Sequence, residues 1–384
     1  MKAQMLVLVG LMALVVCSEA TGGTWHVEQD GSGDWLTIQP AVDAAASGDT
    51  ILIGPGHYND LQPGPDNTTV IGYLDVSKDL VILGTNRDEV VIGPDSFTHN
   101  SYGFRFQYNS PKVFRNLTLS NLFRAISIDG EISVSNCSLS NCDGGISSND
   151  SNFGDFSDCV FESTGQMNSN YGIVIWNSSF IEIENCDFRE MGIYLEGVTD
   201  SVVRSCTFNN TNYRTGIYGW NVNGLFEALE SNVTVGFDGA SNIILRNCNF
   251  DVLNFFYAFW AGSGGTTIEA YDNIFSGGTF SPISLAYNSS MSGNGNHFIN
   301  TGSPHTVHLF EFNRTPPPVV DLRNNYWGTS NQSDIENWIF DANDDPQITT
   351  EVQFLPFSSD PLPTEDRSFG SIKAMFRGRV TSLL

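Results

Sequence analysis

The chain repeats a short pattern in which apolar and polar residues alternate and then change phase at a single residue. In the segment IEIENCDF, Ile181 and Ile183 lie on one side of an extended strand and the two glutamates on the other. Strict alternation would place Cys186 on the polar side, yet Cys186 and Phe188 are the apolar pair. The phase therefore changes at Asn185, a residue type that tolerates the left-handed backbone of a sharp bend. The pattern predicts two short strands that meet at Asn185 and face one interior.

The same phrase returns about every 20 to 29 residues, which indicates a stacked repeat architecture. The interval from Cys206 to Cys248 is about twice as long, and the sequence leaves open whether it holds a weakly marked coil or an inserted loop. The positions equivalent to Cys186 are Leu117, Cys137, Cys159, Cys206, Cys248, Asn273, Asn296 and Asn325.

A third short strand follows each phrase, as in AISID, GIVIW and GIYLE. The periodicity of a helical repeat and the spacing of a leucine-rich repeat are both absent. The predicted fold is therefore all-β: a right-handed parallel β-helix of about nine to eleven coils, with three strands in each coil.

The repeated cysteines are predicted to occupy one interior position on successive coils. Side chains stacked at the spacing of neighbouring strands are farther apart than a disulfide prefers, which favours free thiols. Cys142 lies just outside this row. The asparagines at the bends are expected to form an amide ladder along the axis.

An end of the core must be covered, and residues 35–47 suggest how. The segment WLTIQPAVDAAAS predicts a short amphipathic helix with Thr37 as its N-cap and Pro40 in its first turn. Its apolar side is formed by Ile38, Ala41, Val42 and Ala45. We expect this helix to cap the N-terminal end of the coils.

The two termini differ from the repeats. The first residues contain one lysine, an apolar run and Ser18-Glu19-Ala20, which is typical of a signal peptide cleaved after Ala20. No other apolar run approaches the length of a membrane span. The predicted division is a signal peptide at 1–20, an N-terminal cap and first strand at 21–60, the β-helix with a C-terminal cap at 61–360, and a basic tail at 361–384 that is flexible or a sorting signal.

The formal net charge of −26 narrows the range of partners. It disfavours nucleic acids and anionic membranes, because both repel a strongly acidic protein. It does not exclude an anionic polysaccharide, since a local arginine cluster or a bridging cation could overcome the overall field. The expected state is a secreted or cell-surface monomer.

Two segments resemble known proteins. The segment VEQDGSGDWLTIQPAVDAAASGDTILIGPGHY resembles the opening of pectin-lyase-like β-helix proteins, which include pectinesterases. Near the other end, NNYWGTSNQSDIENWIFDANDDPQITTEVQFLPF resembles the last coil and cap of many secreted bacterial β-helix proteins. The resemblance implies the fold and export, but no particular chemistry, because this fold serves lyases, hydrolases, esterases, epimerases and binding proteins.

The enzyme motifs that the resemblance suggests are not found. The paired aspartates of pectinesterases and the GHG and RIK motifs of polygalacturonases are absent from the sequence. Asp341, Asn343 and Asp345 resemble the start of an EF-hand loop, but Pro346 replaces its turn glycine. His305 and His308 have no evident third ligand. No metal site and no certain cofactor are predicted, although calcium could bridge an acidic ligand.

The outward side of the third strand in each coil predicts a stripe of aromatic and charged residues. Stacked coils would bring the tryptophans and tyrosines into one track, with acidic residues within it and arginines in the preceding turns. Large exposed aromatics suit stacking on sugar rings, and arginine and carboxylate suit hydrogen bonding to sugars. The predicted substrate-binding residues are Trp176, Tyr194, Tyr218, Trp220, Asp129 and Arg124.

A second resemblance concerns catalysis. In β-helix polysaccharide lyases, this face carries the active site, with an arginine or lysine as the base and acidic residues that hold calcium. The resemblance implies Arg189 or Arg214 as the base and Glu196 as a calcium or hydroxyl ligand. An arginine base is credible only beside other positive charge, because its pKa lies above about 12.

Three functions remain open on the sequence alone. The leading hypothesis is binding of extracellular polysaccharide along the stripe, with or without degradation. The second is a polysaccharide lyase or glycoside hydrolase with a non-standard site, so enzymatic activity is uncertain. The third is a surface adhesin or structural protein that binds a protein partner, and the aromatics could then be covered by long turns in a second small core.

Overall fold

The computed structural model describes residues 22–59, 78–106, 112–163, 171–210, 215–252, 254–310 and 316–361. The predicted signal peptide, the predicted basic tail from residue 362 onward and Arg214 lie outside the described residues. Within the described parts, no helix combines the length and the apolarity that a bilayer span requires.

Short strands form three parallel sheets, and successive strands of one sheet come from successive coils. The first sheet contains Thr24–Val27, Asp49–Ile53, Leu80–Gly84, Lys112–Arg115, Ile132–Ser135, Gly154–Ser157, Ile181–Glu184, Ser201–Arg204, Asn223–Glu227, Asn242–Arg246, Thr267–Tyr271, Ser290–Ser292, Val320–Asp321 and Val352–Gln353. The second contains Gly56–Tyr58, Val90–Ile92, Thr118–Ser120, Ser138–Ser140, Val160–Glu162, Asp187–Arg189, Thr207–Asn209, Glu230–Ser231, Asn249–Val252, Ile274–Gly277 and His297–Ile299. The third contains Thr98–Phe106, Leu122–Asp129, Gly144–Asn149, Tyr171–Trp176, Gly192–Glu196, Thr215–Trp220, Thr234–Asp238, Tyr257–Ala261, Ser281–Ala286, Val307–Phe310 and Ile339–Phe340. Among the described residues, the second and third sheets hold 11 strands each, which confirms the parallel β-helix with three strands in a coil.

The bend between the first and second sheets is made as the sequence predicts. Asn185 has φ 56°, and Asn136 has φ 49°, both in the left-handed region. The Asn136 amide donates to Asn116 Oδ1 at 2.9 Å, so part of the expected ladder is present. The left-handed residues at equivalent bends are Asn116, Asp158, Ser205, Ala228, Asn247, Asp272 and Asn324.

The long interval from Cys206 to Cys248 contains a complete coil. Its strands are Asn223–Glu227, Glu230–Ser231 and Thr234–Asp238. Ala228 takes the left-handed position with φ 52°, and Leu229 occupies the interior position of the cysteines. This coil is not recognisable from the sequence, because it has neither the asparagine of the bend nor the cysteine that follows it.

The interior is filled by side chains that repeat from coil to coil. Phe161, Phe188 and Phe208 stack with ring centroids 4.7 and 4.9 Å apart. All six cysteines of the described residues are free and buried, as the strand spacing predicted. Near the C-terminal end the cysteine column gives way to buried amides: Asn273 donates to Asn296 at 2.9 Å, and Asn296 donates to Asn325 at 3.0 Å.

Two short helices accompany the sheets in the part of the chain that the structure describes. The first, Ile38–Ala44, buries Ile38, Ala41 and Val42 and packs against the first two strands of the first sheet. Thr37 stands at its N-cap position but makes no capping hydrogen bond through its side chain. The second, Gln332–Trp338, is capped by Asn331, which accepts from the Ser333 amide at 3.1 Å. That the first helix closes the end of the core stays a prediction.

Candidate functional site

The middle strands of the third sheet align outward-facing aromatic and acidic residues in two columns. Parallel register pairs Val174 with Tyr194 and Tyr194 with Tyr218 in one column. The neighbouring column pairs Trp176 with Glu196, Glu196 with Trp220 and Trp220 with Asp238. These residues face outward because Ile193, Leu195 and Ile217 of the same strands are fully buried. We call the surface formed by Tyr171, Trp176, Tyr194, Glu196, Tyr218 and Trp220 the aromatic face.

The rings of the aromatic face contact one another across the coils. Tyr194 stacks on Tyr218 with centroids 5.7 Å apart and an interplanar angle of 27°. Tyr171 meets Tyr194 edge-on at 5.4 Å, and Trp176 lies 6.4 Å from Tyr194. Trp220 is 36 % exposed, and the other rings of this set are partly exposed. The rings are thus held in place by their neighbours while part of each remains open to solvent.

Each of the two stacked tyrosines donates a hydrogen bond to a carboxylate. The acceptor lies two residues further along the same strand for Tyr194 and on the next coil for Tyr218. The Tyr194 hydroxyl donates to Glu196 Oε2 at 2.8 Å, and the Tyr218 hydroxyl donates to Asp238 Oδ2 at 3.3 Å. Desolvation first, and then the carboxylate, raises the pKa of Tyr194 to about 12 and that of Tyr218 to about 12. Both hydroxyls therefore stay protonated at neutral pH and keep the carboxylates oriented.

Asp238 is more firmly fixed than Glu196. It is buried, and it accepts hydrogen bonds from the Ser263 hydroxyl and, at 3.0 Å, from the Gly239 amide. Glu196 is partly exposed. Glu196 is therefore the carboxylate that a ligand on the aromatic face can reach.

A depression of about 280 Å³ adjoins the aromatic face on its N-terminal side. Its walls include Arg124, Tyr171, Val174, Trp176 and Tyr194. Its floor includes Gly145, where a Cβ atom would lie only 2.1 Å from the carbonyl oxygen of Gly172. The absence of a side chain at Gly145 thus permits the close approach of two coils beneath the depression.

Most of the predicted binding residues come together in this region. Trp176, Tyr194, Tyr218 and Trp220 form the aromatic face, and Glu196 lies within it. Arg124 lines the depression from within the strand Leu122–Asp129 rather than from the preceding turn. Asp129 is exposed and pairs with Asn149, which pairs with Trp176, so it lies two strands before Trp176 in the same column.

Arg189 lies on a different sheet from Glu196. It ends a strand of the second sheet, where its guanidinium contacts Asp187 at 2.7 Å and Glu162 at 3.6 Å. Its hydrogen bond to Asp187 and the charge of that carboxylate raise the pKa of Arg189 above its ordinary value. These contacts hold the proton more firmly, which works against a role as base. The catalytic role of Arg189 stays a prediction.

Sequence reasoning missed two residues of the site. Asp238 belongs to the coil that lacks the Asn and Cys signature, so its strand was not identified. Tyr171 begins the strand Tyr171–Trp176, where strict alternation from Trp176 and Val174 would place Gly172 outward. A register shift between Tyr171 and Ile173 breaks this alternation, so alternation could not have found Tyr171. Trp260 also faces outward, because it pairs with Gly236, which in turn pairs with Tyr218.

In the last coils of the same sheet, partly exposed aromatic rings pack around a buried histidine, His308. All six residues of Ser281–Ala286 are buried. His308 stacks on Phe340 with centroids 4.4 Å apart, and Phe280 lies 4.8 Å from His308. His305 lies 5.0 Å from His308. We call Phe280, His305, His308, Phe310 and Phe340 the histidine cluster.

Burial controls the protonation of the histidine cluster. Desolvation first, and then the neighbouring His305, lowers the pKa of His308 to about 4. Desolvation also lowers the pKa of His305. Both rings are therefore neutral at pH 7. Among the described residues, no three His, Cys, Asp or Glu side chains come together in a group that could hold a metal ion.

A family model described as the right handed beta helix region matches residues 66–188 and 171–313, which together span more than half of the chain. The chain belongs to the right-handed β-helix family. No curated protein sequence matches it significantly.

Solved structures share the right-handed β-helix. The catalytic domain of a GH87 alpha-1,3-glucanase in complex with tetrasaccharides is 13 % identical with a TM-score of 0.55, over 80 % of this chain and 64 % of that one. The A-module of the Azotobacter vinelandii mannuronan C-5 epimerase AlgE6 is 15 % identical with a TM-score of 0.44, over 75 % and 81 %. The pectate lyase Pel9A is 12 % identical with a TM-score of 0.37, over 76 % and 78 %. This chain therefore spans less than two thirds of the glucanase domain, and the likeness to that domain shows a common fold.

Proposed function

We propose that this β-helix protein is exported and binds polysaccharide along the aromatic face. The observation that carries the proposal is the pair of stacked tyrosines, flanked by Trp176 and Trp220, with a carboxylate fixed beside each tyrosine. Partly exposed aromatic rings offer flat apolar surfaces to sugar rings, and the adjacent carboxylates accept hydrogen bonds from hydroxyls. A sugar polymer is the ligand that presents both kinds of surface repeatedly.

The spacing of the two tryptophans also suits a polymer. Trp176 and Trp220 lie two strands apart in the same column, with Glu196 between them. Two strand spacings correspond to roughly 9.6 Å along the axis, which is comparable to the length of a disaccharide unit. The depression beside Trp176 would receive the next part of the chain.

Retention on immobilised polysaccharides, measured for the purified protein with and without calcium, tests this function. Trp176→Ala and Trp220→Ala should each weaken retention about tenfold, as expected for the loss of one stacking contact. Leu36→Ala is a control, because Leu36 is 57 % exposed and lies before the first helix, outside the third sheet. Equal retention of both tryptophan variants and the wild type would exclude the aromatic face as the binding surface.

Degradation is a second candidate, and the position of Glu196 favours it. Glu196 is the carboxylate of the aromatic face that a ligand can reach, and it lies between Trp176 and Trp220 in the register of the sheet. In that position it could act as a general acid or base on a sugar stacked on either ring.

Assay of reducing ends and unsaturated products separates binding from catalysis. Glu196→Gln should abolish release of reducing ends while polysaccharide is still retained, if the protein is a hydrolase. Unsaturated products would instead indicate a lyase and return Arg189 and Arg214 to consideration as bases. Retention without any product would leave a binding protein, and lack of retention on every polysaccharide would favour a protein partner.

A further inference from the structure

The charges on the outward side of the third sheet discriminate between two classes of polysaccharide. From the strand Leu122–Asp129 to the strand Thr234–Asp238, the described outward positions include three carboxylates, Asp129, Glu196 and Asp238, all in one column. Arg124 is the single cation among the described residues that line the depression. Asp129 and Glu196, the two of these carboxylates that are not buried, outnumber this cation, so this part of the surface carries a net negative charge.

These carboxylates are not neutralised by ion pairs. In the parts of the chain that the structure describes, the ion pairs of arginine with carboxylates involve Asp88, Glu162, Asp187, Glu182, Glu184 and Asp321, and none involves the three carboxylates of this column. Glu196 and Asp238 instead accept hydrogen bonds from neutral tyrosine hydroxyls. A uronate group placed over Glu196 would meet an uncompensated like charge, which opposes binding.

Neutral sugars suit the same arrangement. Glu196 accepts one hydrogen bond at Oε2 from Tyr194, which leaves further acceptor positions on its two oxygens. It lies between Trp176 and Trp220 in the register of the sheet, so a sugar stacked on either ring brings hydroxyls towards it. Hydrogen bonds from hydroxyls to a carboxylate are charge-assisted and stronger than those between neutral groups.

On the basis of the proposed function, we infer that the aromatic face selects neutral polysaccharides over uronate-bearing ones, with Glu196 as the residue that sets this preference. Glu196 accepts hydrogen bonds from the hydroxyls of a sugar stacked on Trp176 or Trp220. The same carboxylate repels the carboxylate of a uronate.

The inference predicts that one substitution has opposite effects on the retention of neutral and of uronate-bearing polysaccharides. Glu196→Gln removes the charge but keeps the shape and an acceptor. It should weaken retention of a neutral polysaccharide about fivefold, because a charge-assisted hydrogen bond becomes a neutral one. It should strengthen retention of a uronate polymer, because repulsion is removed. Glu269→Gln is the matched control: Glu269 also accepts from a tyrosine two residues away, Tyr271 at 3.2 Å, but lies on the first sheet.

The experiment measures retention on glucan, mannan and xylan, and on polygalacturonate and alginate, at low and high salt and with EDTA. Retention of a neutral polymer that resists salt and EDTA and weakens in Glu196→Gln supports the inference. Retention of uronate polymers alone, or stronger retention of the neutral polymer by Glu196→Gln, overturns the preference but leaves the proposed function intact. Loss of uronate retention in EDTA would also overturn it, by showing a calcium bridge. Retention of none of the polymers by the wild type would overturn the proposed function itself.

Discussion

The aromatic face and the histidine cluster occupy the outer side of the same sheet and differ in how deeply their central residues are buried. On the aromatic face, Tyr194 and Tyr218 stack but remain partly exposed, and their hydroxyls bind carboxylates. In the histidine cluster, His308 is buried between aromatic rings, and its Nδ1 has no hydrogen-bond partner among the described residues. The same outward position of a coil is therefore partly exposed at Tyr194 and Tyr218 and buried at His308.

This difference shows that outward alternation alone does not identify a binding surface. Covered aromatics should contribute to stability, whereas open ones should contribute to ligand binding. Substitutions in the two regions can test this separation, from the largest expected effect to the smallest.

The pH dependence of stability should come from the histidine cluster. The pKa of His308 is lowered to about 4 in the folded protein, so the unfolded chain binds the proton more readily. Its contribution is therefore fully present above pH 6.5 and is lost as the pH falls towards 4, by about 2–3 kcal/mol in the free energy of unfolding. Denaturant unfolding between pH 7 and pH 4 measures this loss. The variant His308→Phe should have a shallower pH profile, and an unchanged profile would contradict the assignment.

Truncation of a ring should cost stability in the histidine cluster and almost none on the aromatic face. Phe280→Ala removes contacts with His308, Phe310 and Tyr257 and should lower the free energy of unfolding by about 2–3 kcal/mol. Trp220→Ala, at a position 36 % exposed, should lower it by less than about 1 kcal/mol. Thermal and denaturant unfolding of the two variants makes the comparison. Similar losses in both would mean that the aromatic face is also part of the core.

The floor of the depression should be intolerant of side chains although the depression itself is open. A Cβ atom at Gly145 would lie 2.1 Å from the carbonyl oxygen of Gly172 on the next coil. Gly145→Ala should therefore destabilise the protein by about 2 kcal/mol through forced backbone movement. Gly23→Ala is the control, because Gly23 is outside the left-handed region and a Cβ atom there would come no closer than 3.4 Å, to Asp49 Oδ1. An unchanged free energy of unfolding in Gly145→Ala would show that the two coils can move apart without loss of stability.

Loss of one hydroxyl should give the smallest effect. Tyr194→Phe keeps the ring but removes the 2.8 Å hydrogen bond to Glu196. Polysaccharide retention should fall two- to fivefold, corresponding to about 1 kcal/mol or less. Tyr271→Phe, which removes a 3.2 Å bond to Glu269 on the first sheet, should leave retention unchanged.

A spectroscopic titration checks the same hydroxyl independently of any ligand. The pKa of Tyr194 is raised to about 12, so this side chain ionises later than an ordinary tyrosine. The absorbance titration of Tyr194→Phe should lack one late-ionising group. An unchanged late phase would place the raised pKa elsewhere.

Much of the fold could be predicted from one local feature of the sequence, the change in the phase of apolar alternation at Asn185 and its equivalents. Left-handed asparagine and an interior cysteine are local requirements of the bend, and local requirements can be read from residue types. The coil around Ala228 and Leu229 could not be identified in this way, because its backbone adopts the bend without either signature residue. Stacking on the neighbouring coils imposes the conformation there.

Only those residues of the site that follow strand alternation could be predicted from the sequence. Alternation correctly placed Trp176, Tyr194, Tyr218 and Trp220 on one surface. It could not separate Arg189 from this surface, because the sheet to which a residue belongs depends on where the bends fall. Nor could it reveal that Phe280 and His308 pack together, since that contact depends on the local shape of the last coils.

The buried amides of the last coils have a consequence for folding accuracy. Coils of similar sequence risk stacking in the wrong order, because each offers the same strands to its neighbours. Asn273, Asn296 and Asn325 hydrogen-bond in sequence and are fully buried. Displacement by one coil would set an amide against a cysteine or leave it unpaired in the core, at a cost of about 1–3 kcal/mol. The column of buried amides therefore favours a single stacking register of the coils at the C-terminal end.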